Sequence, residues 1–179
     1  MCSSDLSIAS GTGFFSGTFS AWQGFPMIVA FILGLIGGCS GSSSGALTVF
    51  RVQVTAKALA AQLRLIHLPN RISPVKYAGR RVDDDVMSAL ILYVTGYIVT
   101  IGVLSLCLTL IGVDAVSALY AIWTSIGNIG YGYGPMVART GTFVDFSDAA
   151  KWIMILAMIM GRLGLLSLFV LVLPRFWQR

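Results

Sequence analysis

The chain has 179 residues, of which 56% are hydrophobic and only 11% charged, with a mean hydropathy of +0.86. A water-soluble domain carries about 25% charged residues, so this chain has too little polar surface to coat a globule, and its class is integral membrane protein. The net charge of +5 would suit a nucleic-acid binder. It is concentrated, however, in Arg51, Lys57, Arg64, Arg71, Lys76, Arg80 and Arg81 and in the terminal Arg175 and Arg179, which is the positive-inside bias of membrane proteins and argues against a nucleic-acid partner.

Met1–Leu6 has neither the basic nor the apolar region of a signal peptide. It back-translates to GTG-TGC-TCT-TCC-GAT-CT, which resembles the end of a sequencing adapter. Residues 1–6 are therefore expected to be a non-native leader, with genuine protein starting near Ser7. Ser7 to Gly24 is rich in Gly, Ser and Thr and reads as a loop. Pro26 opens an apolar run, Met27 to Ile36, that stops at Gly37-Gly38-Cys39-Ser40-Gly41-Ser42-Ser43-Ser44-Gly45 and resumes over Ala46 to Phe50. The first run is short of the roughly 20 residues a bilayer demands. Two readings fit: a broken transmembrane helix whose polar interruption faces a pore, or a small-residue helix interface using the GxxxG pairs Gly34/Gly38, Gly37/Gly41 and Gly41/Gly45.

Residues 51–85 form the longest polar region. Val52 to Ile66 can be a surface helix, broken afterwards by Pro69, Asn70, Pro74 and Gly79. Asp83-Asp84-Asp85 then stands where carboxylates cap the helix that follows. Val86 to Val113 carries no charge and spans. Asp114 interrupts, and Ala115 to Ile126 is of re-entrant length. Gly127-Asn128-Ile129-Gly130-Tyr131-Gly132-Tyr133-Gly134-Pro135 cannot be regular helix. Met136 to Asp148 reads as an exposed loop. Lys151 to Pro174 is the last span, with Trp152 and Trp177 as interfacial anchors. The basic linker and tail fall on the cytoplasmic side and the Gly127–Asp148 region on the outer side.

Span, short helix, Gly-rich turn, span is the order of a pore-loop unit. A dehydrated cation needs several oxygens at close range, and backbone carbonyls supply them where glycine lets the chain extend. The short helix also points its partly negative end at the turn. The start of the chain repeats the pattern: Thr12-Gly13-Phe14 matches Ile129-Gly130-Tyr131, and Phe19-Ser20-Ala21-Trp22 resembles Phe146-Ser147-Asp148-Ala149. The expected fold is thus all-α and membrane-embedded, with one complete pore-loop unit and part of a preceding one. Arg162 is the only charge inside the last span, where a charge is costly and usually faces a cavity.

These residues resemble the Trk/Ktr/HKT superfamily of potassium transporters, in its bacterial TrkH-like branch. That family has four pore units in one chain. Gly11-Thr12-Gly13-Phe14 resembles its third filter, and Gly37-Gly38-Cys39-Ser40-Gly41-Ser42 the interruption of its third inner helix. Asn128-Ile129-Gly130-Tyr131-Gly132 resembles its fourth filter. Lys151-Trp152 and Met158-Ile159-Met160-Gly161-Arg162-Leu163 resemble the inner helix that follows. Tyr131 replaces the usual Pro, and Gly164 replaces the usual Glu.

The resemblance implies a C-terminal fragment of a potassium-uptake subunit. Domains are then a third filter and broken inner helix over 7–50, a cytoplasmic linker over 51–85, and a fourth unit over 86–179 (pore helix 115–126, filter 127–134, inner span 151–174). It implies potassium as substrate, held by backbone carbonyls of Gly11, Thr12, Gly13, Asn128, Ile129, Gly130 and Tyr131. Residues Gly37 to Gly45 become a gating loop that Arg162 touches from the pore. It further implies no enzymatic activity, no cofactor in this chain, a homodimer in the bacterial inner membrane in contact with lipid, and a cytoplasmic NAD- or nucleotide-binding regulatory subunit of the TrkA/KtrA type.

Two other classes were weighed. Gly38-Cys39-Ser40-Gly41 fits the GxSG nucleophile motif of intramembrane serine proteases, but the only His, His67, lies in the basic linker rather than in a facing span. A non-conducting assembly protein would not need two filter-like turns at matching places. Cys2, Cys39 and Cys107 show no ligand spacing, and Cys39 and Cys107 read as buried, inert thiols.

Overall fold

The computed structural model describes residues 7–8, 10–13, 25–39, 45, 47–67, 76–77, 80–81, 84–130, 132–137 and 142–164. Its elements in order are α1 (Phe25–Ile36), α2 (Val49–His67), the two-residue strands β1 (Lys76–Tyr77) and β2 (Arg80–Arg81), α3 (Asp84–Leu110), α4 (Ala115–Gly127) and α5 (Asp148–Leu163). The strands pair antiparallel as a small hairpin within the linker, a detail the sequence reading lacked.

Among the described residues one helix, Asp85–Leu110, is long and apolar enough to cross a membrane. It begins inside the acidic run, as expected. It ends where Gly112 takes φ +99 and the Val113 and Gly112 N–H groups donate back to the Leu108 and Thr109 carbonyls (3.2 and 3.0 Å). Glycine reaches that left-handed conformation without a Cβ clash, so the chain reverses tightly. Asp114 then starts α4: its carboxylate accepts from the Val116 and Ser117 N–H groups, satisfying two orphan donors of the first turn.

α3, α4 and α5 pack on one another around Tyr97, Leu108, Ala118, Ala121, Ile122, Ile126, Ala150, Met154 and Ala157. Lipid tails are as apolar as these side chains, so close packing rather than exclusion of water holds such helices together. α4 is buried along most of its length. The outward faces of α3 and α5 carry exposed Leu92, Ile98, Val99, Leu106, Trp152 and Leu156.

Three expectations need correction. The boundary at residues 50 and 51 falls inside α2: no Gly or Pro interrupts Val49–His67, so the resumed inner helix and the surface helix are continuous. Arg51 lies in the first turn of that helix with its guanidinium carbon 3.8 Å from the Tyr93 ring centre. The Met136–Asp148 loop is not fully exposed, since Val137 and Phe146 are buried in the core. Cys39 is exposed and Cys107 half-buried, where both were expected to be buried; Cys39 follows the end of α1 instead of lying in a packed helix.

Candidate functional site

The two glycine turns, at residues 11–13 and 128–130, are built alike. In the second, α4 ends as the Ile129 N–H donates to the Thr124 carbonyl (2.9 Å) and the Asn128 N–H to the Ser125 carbonyl (3.1 Å). Asn128 takes the left-handed conformation, φ 53 and ψ 36. In the first, the Thr12 N–H donates to the Ser7 carbonyl (3.1 Å) and the Gly11 N–H to the Ile8 carbonyl (3.2 Å), with Gly11 at φ +70. Both are the paired bonds of a helix ending in a left-handed residue. The register is the one that lays Gly13 on Gly130, and those two glycines hold φ at +72 and +98.

Hydroxyls brace both turns. The Gly130 N–H donates to Thr124 Oγ1 (3.0 Å). At the matching place in the first turn, the Ser7 and Thr12 hydroxyls are hydrogen-bonded at 3.1 Å, and Ser10 Oγ lies 3.1 Å from Thr12 Oγ1. Thr124 and Ser7 were missed in reading the sequence. The repeat register puts them opposite each other, and that coincidence of hydroxyl residues was the available signal.

The turns also meet. A Cβ at Gly13 would overlap the Ile129 carbonyl oxygen, so the backbone of the first turn lies directly against the second. Ile8, Met27, Ala30, Trp123 and Ile129 form one buried cluster that joins the two units. Around it, Phe31 stands 5.0 Å from Trp123 and 5.5 Å from Tyr120, and Tyr120 stands 4.9 Å from Tyr133. The two contacts of Tyr120 are edge-on, an arrangement that is favourable and direction-specific, whereas the Phe31 and Trp123 rings are tilted at 34°.

α1 stops at Ile36, and Gly37 takes φ +69. Gly34 and Gly38 therefore do not share a helix face; the other two pairs include Gly41, which lies outside the described residues. The chain returns beside its point of departure: the Leu47 N–H donates to the Leu35 carbonyl and the Val49 N–H to the Gly38 carbonyl (both 3.3 Å). Of the expected gating loop, Gly37, Gly38, Cys39 and Gly45 are described; Ser40, Gly41, Ser42, Ser43 and Ser44 lie outside the described residues, as do Phe14 and Tyr131.

Gly45 is buried against the second turn. A methyl there would meet the Ile126 carbonyl oxygen, Asn128 Nδ2 and the Gly161 carbonyl oxygen. Arg162, the next residue on α5, is exposed in that helix's last turn. The expected span to Pro174 is described only as far as Gly164, which closes α5 at φ 83. Among the described residues no group of His, Cys, Asp or Glu is placed to hold a metal ion. Ser40 of the GxSG motif lies outside the described residues, and His67 is the last residue of α2.

Helical segments that end at left-handed turns, with α1 and α5 packed beside those turns, make up this helical fold. The family of TrkH cation transport proteins matches residues 5–179, and the chain belongs to that family. It is 34% identical over 97% of its length to the Trk system potassium uptake protein TrkI of Halomonas elongata, covering 35% of that protein. It is 31% identical to the Trk system potassium uptake protein TrkH of Escherichia coli, covering 97% of this chain and 35% of that one. The crystal structure of the potassium transporter TrkH from Vibrio parahaemolyticus superposes with a TM-score of 0.87 at 30% identity, over 96% of this chain and 36% of that one. The chain thus spans about a third of the length of these relatives. They are transporters of a membrane protein family, and the protease reading finds no support among them.

Proposed function

We propose that this chain is the C-terminal part of a potassium-uptake subunit of the Trk/Ktr type in a bacterial inner membrane. The observation that carries the reading is the pair of matching turns, with Gly13 packed on the Ile129 carbonyl and both filter glycines at positive φ. Such turns can direct backbone oxygens at a dehydrated potassium ion. The filter residues are Gly11, Thr12, Gly13, Asn128, Ile129, Gly130 and Tyr131. Residues Gly37 to Gly45 act as the gate below them, and Arg162 sits beside that gate. The burial of Gly45 against the second filter supports this placement.

The relatives' names speak of a Trk system, which fits a conducting subunit working with a regulatory one. We assign the cytoplasmic nucleotide-binding partner to the basic linker, where Arg64 is exposed on α2, and we read the subunit as a homodimer. Two further pore units supply the rest of the ion's cage.

The test is uptake in bacteria lacking their own potassium transport. The complete subunit restores growth at limiting potassium and takes up rubidium in preference to sodium; residues 7–179 alone do neither. A complete subunit that reaches the membrane and takes up no potassium overturns the reading. Uptake by residues 7–179 alone overturns the four-unit cage.

A further inference from the structure

Asn128 sits at the tip of α4, and its side chain leaves the filter turn for the inner helix. Its amide nitrogen Nδ2 donates to the Met158 carbonyl on α5 (3.3 Å) and to the Ile126 carbonyl at the end of its own helix (3.4 Å). Both neighbours are acceptors, so the amide must present its nitrogen to them, and its two N–H groups are both used. The matching residue of the first turn, Gly11, has no side chain and makes no such tie. Asn at that place is also suited to φ 53, since Asn tolerates the left-handed region better than most residues.

Two glycines make room for the tie. A methyl at Gly161 would overlap the Ile126 carbonyl oxygen and stand 2.9 Å from Asn128 Nδ2. One at Gly45 would also stand 2.9 Å from Nδ2 and 3.2 Å from the Gly161 carbonyl oxygen. The half-buried amide is therefore flanked by Gly45, by α5 and by the tip of α4. In a helix the N–H of residue 162 points at the carbonyl of residue 158, so the acceptor that Asn128 uses lies in the turn that carries Arg162. Gly130 follows two residues after Asn128 and is held on its other side by Thr124 Oγ1.

We propose that Asn128 is a positioning residue for ion selection: its side-chain amide fastens the second filter turn to the Met158 carbonyl, so the position of α5 sets the oxygen spacing at Gly130. The inference rests on the potassium-uptake reading and adds to it a mechanical link between filter and inner helix. Backbone carbonyls of the turn touch the ion; Asn128's amide acts through them.

The experiment compares wild type, Asn128→Gly and Asn128→Asp in the complete subunit, by rubidium and sodium uptake in the uptake-deficient host. Glycine keeps the left-handed backbone and removes only the tie. Aspartate turns an oxygen toward two carbonyl oxygens. Asn128→Gly should raise the KM for potassium about three- to tenfold, the worth of one hydrogen bond, and lower the rubidium-to-sodium ratio; Asn128→Asp should do more. Both readouts are independent of how much protein reaches the membrane. A second measurement serves a variant that transports nothing: the extra thermal stability that potassium confers over sodium on the purified subunit shrinks in Asn128→Gly. An unchanged KM and ratio, or an undiminished potassium-dependent stabilisation, overturns the tie. A wild type that takes up neither ion overturns the uptake reading, and this inference with it.

Discussion

Gly13 lies against the backbone of Ile129 so closely that a single methyl group on its Cα would overlap the Ile129 carbonyl oxygen. The missing side chain thus lets two turns far apart in the chain meet. Each of those turns depends on a left-handed glycine, and the two glycines differ in what a side chain would cost.

At Gly130 nothing lies within 4 Å of an added Cβ, but φ is +98, so a substitution there brings backbone strain without a clash. At Gly13 strain and overlap combine. Gly102 lies in the middle of α3 with open space around it and no positive φ. Gly130→Ser should therefore cost about 1–3 kcal/mol through strain and reduce rubidium uptake relative to sodium. Gly13→Ser should do more damage, and Gly102→Ser should stay within about 0.5 kcal/mol of wild type. Uptake of both ions, together with thermal unfolding of the complete subunit in detergent, checks the order. Equal effects at Gly130 and Gly102 would mean that the former is a packing glycine and not part of a filter.

Gly34 packs against Trp123 where α1 meets α4. An added Cβ at Gly34 would strike the Trp123 ring and reach Ile8 at 3.0 Å and Ile129 at 3.1 Å. Gly34→Ala should destabilise the protein by about 1–3 kcal/mol through overpacking. Trp123→Phe alone should also destabilise, by leaving a gap. Combined, the two should cost less than their sum, because the smaller ring frees the space that the methyl needs. A double-mutant cycle of unfolding midpoints measures this, and strict additivity would rule out the contact.

Asp114 caps the helix that carries the second filter, accepting from the Val116 N–H at 3.2 Å and the Ser117 N–H at 3.4 Å. Asp114→Ala should lower stability by about 1 kcal/mol, whereas Asp114→Ser should retain most of it. Thermal unfolding of the two variants side by side decides. Equal losses would show that the start of α4 is held by packing alone.

Most of the architecture was legible along the chain, because its signals are local. An uncharged run from Val86 to Val113 can only span, and a charged residue at 114 next to a dozen apolar residues can only begin something shorter. A cluster of glycines at 127–134 cannot continue a helix, so a turn follows. The repeat was legible for the same reason: Thr12-Gly13 and Ile129-Gly130 need the same backbone and therefore use the same small residue. Even the interruption at Gly37 was visible as composition, although its alternative, a glycine-lined helix face, had equal claim until α1 was seen to stop at Ile36.

What no local pattern could supply is how the elements stand across space. Asn128 reads equally well as a filter residue whether its side chain faces solvent, lipid or α5; only the rotation of α5 about its own axis brings the Met158 carbonyl within 3.3 Å. Gly45 and Gly161 look like ordinary small residues in sequence, and their purpose emerges where the Ile126 carbonyl of α4 lies close to both. Gly164 reads as a replacement for the usual Glu, yet like Gly37 after α1 it follows its helix at positive φ, +83 and +69. Hydropathy and glycine content act on a residue and its chain neighbours. A contact between distant segments is set by helix rotation and by which side chains are small enough to let backbones meet, and those distances exist only in the folded chain.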